Sequence, residues 1–120
     1  MRNVDRAVAD HLNVWAVRDR DKRAAAIAKV YTENVTSVDP DEIVHGRDAL
    51  NTRIQALQDQ FSGLEFIIDG SIQHHHDHAM YAWHQPTPAG DVAGWDVLHF
   101  TGDLIDQAVM FIPGLDANDA

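Results

Sequence analysis

Cysteine is absent from the 120 residues, and neither lysine nor arginine occurs after Arg53. Without thiols the chain has no disulfide, thiolate nucleophile, iron–sulfur ligand or thiolate zinc site, so packing alone must stabilise it. No unbroken apolar run is longer than five residues, as at 24–28 and 108–112. No membrane span is therefore expected, and the charged segment 1–10 lacks the apolar stretch of a signal peptide. These absences leave the cytoplasm as the default compartment. What remains is acidic, with 19 Asp and Glu against nine Lys and Arg for a formal charge of -10. All nine bases lie between Arg2 and Arg53, whereas residues 61–120 hold nine acids. Such a surface repels phosphate backbones and anionic membranes, and a pocket built from the second half has no guanidinium to clamp a carboxylate. A neutral or weakly acidic ligand, an apolar small molecule, suits it better, and no cofactor is implied.

The apolar fraction of 45% and the length fit one domain with one core, spanning about residues 4–112, with a tail at 114–120 expected to fray. Val4, Val8, Leu12 and Trp15, with Ala7, His11 and Ala16 beside them, recur at three and four residues and predict a helix. Asp19 and Asp21 suit the start of a second helix, whose stripe Ala24, Ile27, Ala28 and Tyr31 predicts an end within 31–34. Leu50, Ile54, Leu57 and Phe61 predict a third helix, stopped by Ser62 and Gly63. From Leu64 the period becomes two: Leu64, Phe66 and Ile68, then Ala79, Tyr81 and Trp83, then Asp96, Leu98 and Phe100 each line one side of a strand. Gly70 suits a bulge, and turns are expected at His76-Asp77, across 86–91 and at Gly102-Asp103. Helices followed by long antiparallel strands predict an α+β fold, a curved sheet covered on one face by three helices.

The strings Tyr31-x-x-x-Val35-Thr36-x-Val38-Asp39-Pro40, His45-Gly46-Arg47-Asp48-Ala49-Leu50 and Gly94-x-Asp96-Val97-Leu98-x-Phe100 resemble the nuclear transport factor 2-like (NTF2-like) superfamily. Within it they are similar to SnoaL-like polyketide cyclases and ketosteroid isomerases. The resemblance implies a cone-shaped α+β domain with a hydrophobic pocket, and homodimers formed through the sheet. It matches Asp39 to the general base of the isomerases and Asp96 to their protonated oxyanion-hole carboxyl, the pair used as a standard example of carboxyl tuning. Trp15 falls where those isomerases carry an oxyanion tyrosine, and an indole can donate one hydrogen bond but cannot accept or titrate.

The expected catalytic residues are thus Asp39 and Asp96, with Trp15, Tyr31, Trp83, Leu98 and Phe111 lining the pocket. The reaction implied is proton transfer on a neutral carbonyl compound; the alternative is a non-catalytic ligand-binding or dimerisation module. Trp95, on the other strand face from Asp96, suits the dimer interface. His45 and His99 are further candidates for pocket or interface. The run His74-His75-His76-Asp77-His78 invites a metal reading, but at a hairpin tip it reads as a solvated turn, and no metal is assigned.

Overall fold

The computed structural model describes residues 2–61 and 64–114, so the fraying expected of the tail and the stop at Ser62-Gly63 lie outside the described residues except for Gly114. Three helices, α1 (Val4–Ala16), α2 (Arg20–Val30) and α3 (Arg47–Phe61), alternate with and precede six strands, β1 (Tyr31–Val38), β2 (Ile43–His45), β3 (Ile67–His75), β4 (His78–Gln85), β5 (Val92–Thr101) and β6 (Leu104–Phe111). The strands form one sheet in the order β2-β1-β6-β5-β4-β3. All neighbours are antiparallel except β1 and β6, which run parallel and join the first half of the chain to the second.

Local chemistry explains the helix starts. The side chain of Asn3 accepts a hydrogen bond from the Arg6 N–H, and that of Asp19 from the Lys22 N–H, each satisfying a free amide of the first turn. The second helix stops at Val30, earlier than its stripe predicts, because Tyr31 pairs with Ile105 as the first residue of β1. Leu64 and Phe66 keep a period of two but lie before β3, which begins at Ile67. Gly70, at φ 77, does mark a register shift between Asp69 and Gln73, and both hairpin turns lie where expected, with His76 at φ 52 and Gly102 at φ 61.

Core side chains from the inner sheet face, including Tyr81, Trp83, Leu98 and Phe100, meet Val8, Ile27, Leu50 and Ile54 from the helices. Arg23 is wholly buried between α2 and α3, where its guanidinium donates to Asn51, Gln55 and Gln58 and to the carbonyls of Val17 and Arg18. Burial, and next the charge of Arg20, lower its pKa. Gln58 in turn donates to the carbonyls of Trp15 and Val17, so one network fixes the end of α1 against the other two helices.

Candidate functional site

The inner face of β5 brings Asp96 under α1. Its carboxylate, 5% exposed, accepts from the Tyr81 hydroxyl at 2.6 Å and from the Trp83 indole N–H at 2.9 Å, while His11 Nε2 lies 3.5 Å away. His11 Nδ1 is 2.5 Å from the Tyr31 hydroxyl, which also accepts from the Trp15 indole at 3.2 Å. The tautomer that satisfies every group has Nε2–H facing Asp96 and Nδ1 accepting from Tyr31. A carboxylate, an imidazole and a phenol thus stand in a row. Burial is the main cause that pushes the phenol pKa of Tyr31 up, and burial followed by the Asp96 charge does the same for Tyr81, so both stay protonated near neutrality.

Gly94 makes the Trp83 position feasible. A Cβ there would lie 2.6 Å from the Trp83 ring and 2.5 Å from the Phe111 carbonyl, closer than real contacts allow. The bare backbone lets the indole lie against β5 and aim its N–H at the carboxylate two residues on.

Asp96, His11, Trp15 and Ser37 share the wall of an inner cavity of about 10 Å³, room for one water or one oxygen atom. Trp15, Phe66 and Met110 belong both to this wall and to that of a second, apolar pocket of about 190 Å³. Leu57, Leu64, Trp83, Val92 and Ile112 complete most of that outer pocket. Phe66 stands edge-on to Trp83 and Trp15, with centroids 4.8 and 6.1 Å apart, where the two spaces adjoin.

The sequence expectations are met unevenly. Trp15 and Trp83 line the apolar pocket. Tyr31 sits one shell behind the cavity, and Leu98 is wholly buried core that lines neither space. Phe111 is 56% exposed on the outer face, opposite Trp95, which corrects its assignment to the pocket. The cause is a bulge: Phe100 pairs with Ile105 but His99 with Gln107, so the inward residues of β6 change from Ile105 to Ala108 and Met110.

Asp39 is also displaced from its expected role. Its oxygens accept from the amides of Asp41 and Glu42 and from two nitrogens of Arg53 at 2.9 and 3.1 Å, and it lines neither the cavity nor the apolar pocket. The hydrogen bond to Asp39 in turn raises the pKa of Arg53. This is a turn held by an ion pair. Nor is Asp96 placed as a donor, because an indole N–H can only donate, a phenol donates beside it, and an imidazole N–H faces it too.

His11 was not singled out among the expected site residues. Its signal lay in spacing, since Val8, His11 and Trp15 recur at three and four residues and a histidine within an apolar stripe is a buried one. The remaining histidines lie outside the buried core: His45 meets Thr36, His84 meets Asp69, and His99 meets Asp106 at 2.6 Å. His75 and His76 touch each other at the hairpin tip, and among the described residues no three His, Asp or Glu side chains gather as a metal site.

Comparison with solved structures places this architecture. A candidate isomerase of the SnoaL-like family from Agrobacterium tumefaciens superposes with a TM-score of 0.82 at 26% identity, covering 90% of this chain and 95% of that one. The chain carries the NTF2-like fold of the SnoaL-like proteins. A candidate SnoaL-like polyketide cyclase from Jannaschia (TM-score 0.70, 14% identity, 92% of both chains) shares the NTF2-like fold. So does a protein with a cystatin-like fold from Xanthomonas campestris (0.77, 12% identity, 96% of this chain and 93% of that one). No protein-family model and no curated protein matches the chain. Among the described residues of this NTF2-like domain, no helix is long and apolar enough to cross a membrane.

Proposed function

We propose that the chain is a small-molecule pocket protein of the isomerase or cyclase type that moves a proton on a neutral, apolar carbonyl compound. The carrying observation is the buried Asp96 carboxylate, aligned by His11, Tyr81 and Trp83 on the wall of a cavity that adjoins an apolar pocket. Names of structural neighbours, isomerase and polyketide cyclase, support the same reaction class. Asp96 takes a proton from the carbon beside the ligand's carbonyl, and the C–H electron pair moves into an enolate. Returning the proton to another carbon gives an isomer; attack of the enolate on a second carbonyl carbon closes a ring, and the oxygen that takes up that carbonyl's electron pair receives the proton back from Asp96. His11 acts as a positioning residue, because its Nδ1 is held by Tyr31 and its Nε2 faces Asp96 at 3.5 Å. The base is thereby moved from Asp39 to Asp96.

A non-catalytic binding module is the second reading, favoured by the small volume of the inner cavity, about 10 Å³. Exchange of α-protons for deuterium in a panel of cyclic enones, followed by NMR, separates the two without knowledge of the natural substrate. Asp96→Asn is expected to lower the exchange rate about a hundredfold, the usual weight of a positioned base. Asp39→Asn should leave the rate within about threefold while lowering the melting temperature. Saturable enone binding with no exchange by the unaltered protein would transfer support to the binding module.

We further propose a homodimer through the outer sheet face. Met80, Trp95 and Phe111 are 37, 42 and 56% exposed there, with Ala82, Val97 and Val109 between them in register. A contiguous apolar face of this kind marks an interface. Because a two-fold axis brings each residue's patch onto its copy, Trp95→Glu should give a monomer in sedimentation experiments; a monomeric unaltered protein would remove the proposal.

A further inference from the structure

The polar groups of the inner cavity leave one of their number unused. His11 Nδ1 is taken by Tyr31 and its Nε2 faces Asp96 at 3.5 Å, the single N–H of Trp15 goes to Tyr31, and Asp96 accepts from Tyr81 and Trp83. Ser37 is different. It lies on the inner face of β1 after Tyr31 and Val35, is 6% exposed and lines the cavity, and its hydroxyl makes no hydrogen bond to another described residue. The hydroxyl is not sealed in the core but opens onto the cavity, so an acceptor placed there can take its hydrogen bond. The adjoining space is the size of one oxygen atom.

We infer that Ser37 is the residue that binds the ligand's oxygen, donating its hydroxyl to a carbonyl while the hydrocarbon body fills the apolar pocket beyond Phe66. This supplies the donor that Asp96, itself an acceptor, does not provide: as the enolate forms, negative charge builds on the oxygen that Ser37 holds. It also defines the ligand class. The cavity takes one polar atom, the pocket wall carries no base, and about 190 Å³ suits a single ring, since a cavity of roughly 150 Å³ already encloses benzene. The ligand is a monocyclic, uncharged compound with one terminal ketone or aldehyde oxygen in the cavity. The inference rests on the pocket reading above and deepens it.

A matched pair of probes tests it. Cyclohexanone and methylenecyclohexane share a shape and differ in the oxygen, and binding of each is followed through the fluorescence of Trp15 and Trp83. Ser37→Ala is expected to weaken cyclohexanone about tenfold, the weight of one good hydrogen bond, and to change methylenecyclohexane by less than twofold. Thermal unfolding of the variant should match that of the unaltered chain, because no internal hydrogen bond is lost. Equal weakening of both probes, or of neither, overturns the role of Ser37 while leaving the pocket intact. Failure of the unaltered protein to bind either probe overturns the pocket reading and this inference together, and Asp96-dependent exchange remains a separate result.

Discussion

Above pH 10 the folded protein should lose about 3 kcal/mol of stability per pH unit and unfold in a single alkaline transition. The chain has two tyrosines, Tyr31 and Tyr81, both about 1% exposed, and burial raises the pKa of each above its ordinary value of 10.0. Below pH 10 both states keep their phenols protonated, so neither group makes stability depend on pH. As pH rises past 10, the unfolded chain releases phenolic protons that the folded chain retains. Stability then falls by about 1.4 kcal/mol per unit for each tyrosine, against a total of about 5–15 kcal/mol for an ordinary domain. Tyrosinate absorbance should stay flat in the native state and rise together with the loss of circular dichroism. A tyrosinate signal with a midpoint near 10 in a still-folded protein would show that a phenol is accessible and would break the proposed series of Asp96, His11 and Tyr31.

Replacing Arg23 by methionine should lower the melting temperature by about 15 °C. The variant keeps an unbranched chain of similar length but leaves the buried oxygens of Asn51 and Gln58 without their donor. Each such group costs about 1–3 kcal/mol, and about 4 kcal/mol in all is a large part of a small domain's stability. Arg20→Ala is the control, since that exposed guanidinium donates to Thr52 at the surface and should change stability by less than about 1 kcal/mol. Equal melting temperatures for the two variants would mean that the buried network contributes nothing net, as some buried charges do.

The helical half could be read from sequence because its signal is periodic and local: the stripes of α1 and α3 depend only on side chains three and four residues apart. Tyr31 shows where that logic ends. It continues the stripe of α2, yet pairing with Ile105, far along the chain, makes it a strand residue. Phe111 failed for a related reason, because one extra residue opposite Phe100 reverses the parity of β6 and nothing in the local pattern announces it. Asp96 was legible as a buried carboxylate on an apolar strand face. Which groups donate to it was not, since Tyr81 read as a strand-face residue, Trp83 as a pocket wall and His11 as a helix-face residue. Asp39 matched a family string, but its Arg53 partner comes from a different element, fourteen residues on.

The parallel pairing of β1 with β6 gives the site no address in any single stretch of chain. A fragment ending before β5 contains His11 and Ser37 without the carboxylate they surround. A fragment beginning at β3 contains Asp96 with Tyr81 and Trp83, but without the imidazole or the serine. Cutting the loop across 86–91 splits even that remnant, parting the two ring donors from their acceptor. The proposed site therefore belongs to the closed domain alone, and no peptide excised from it holds all of its groups.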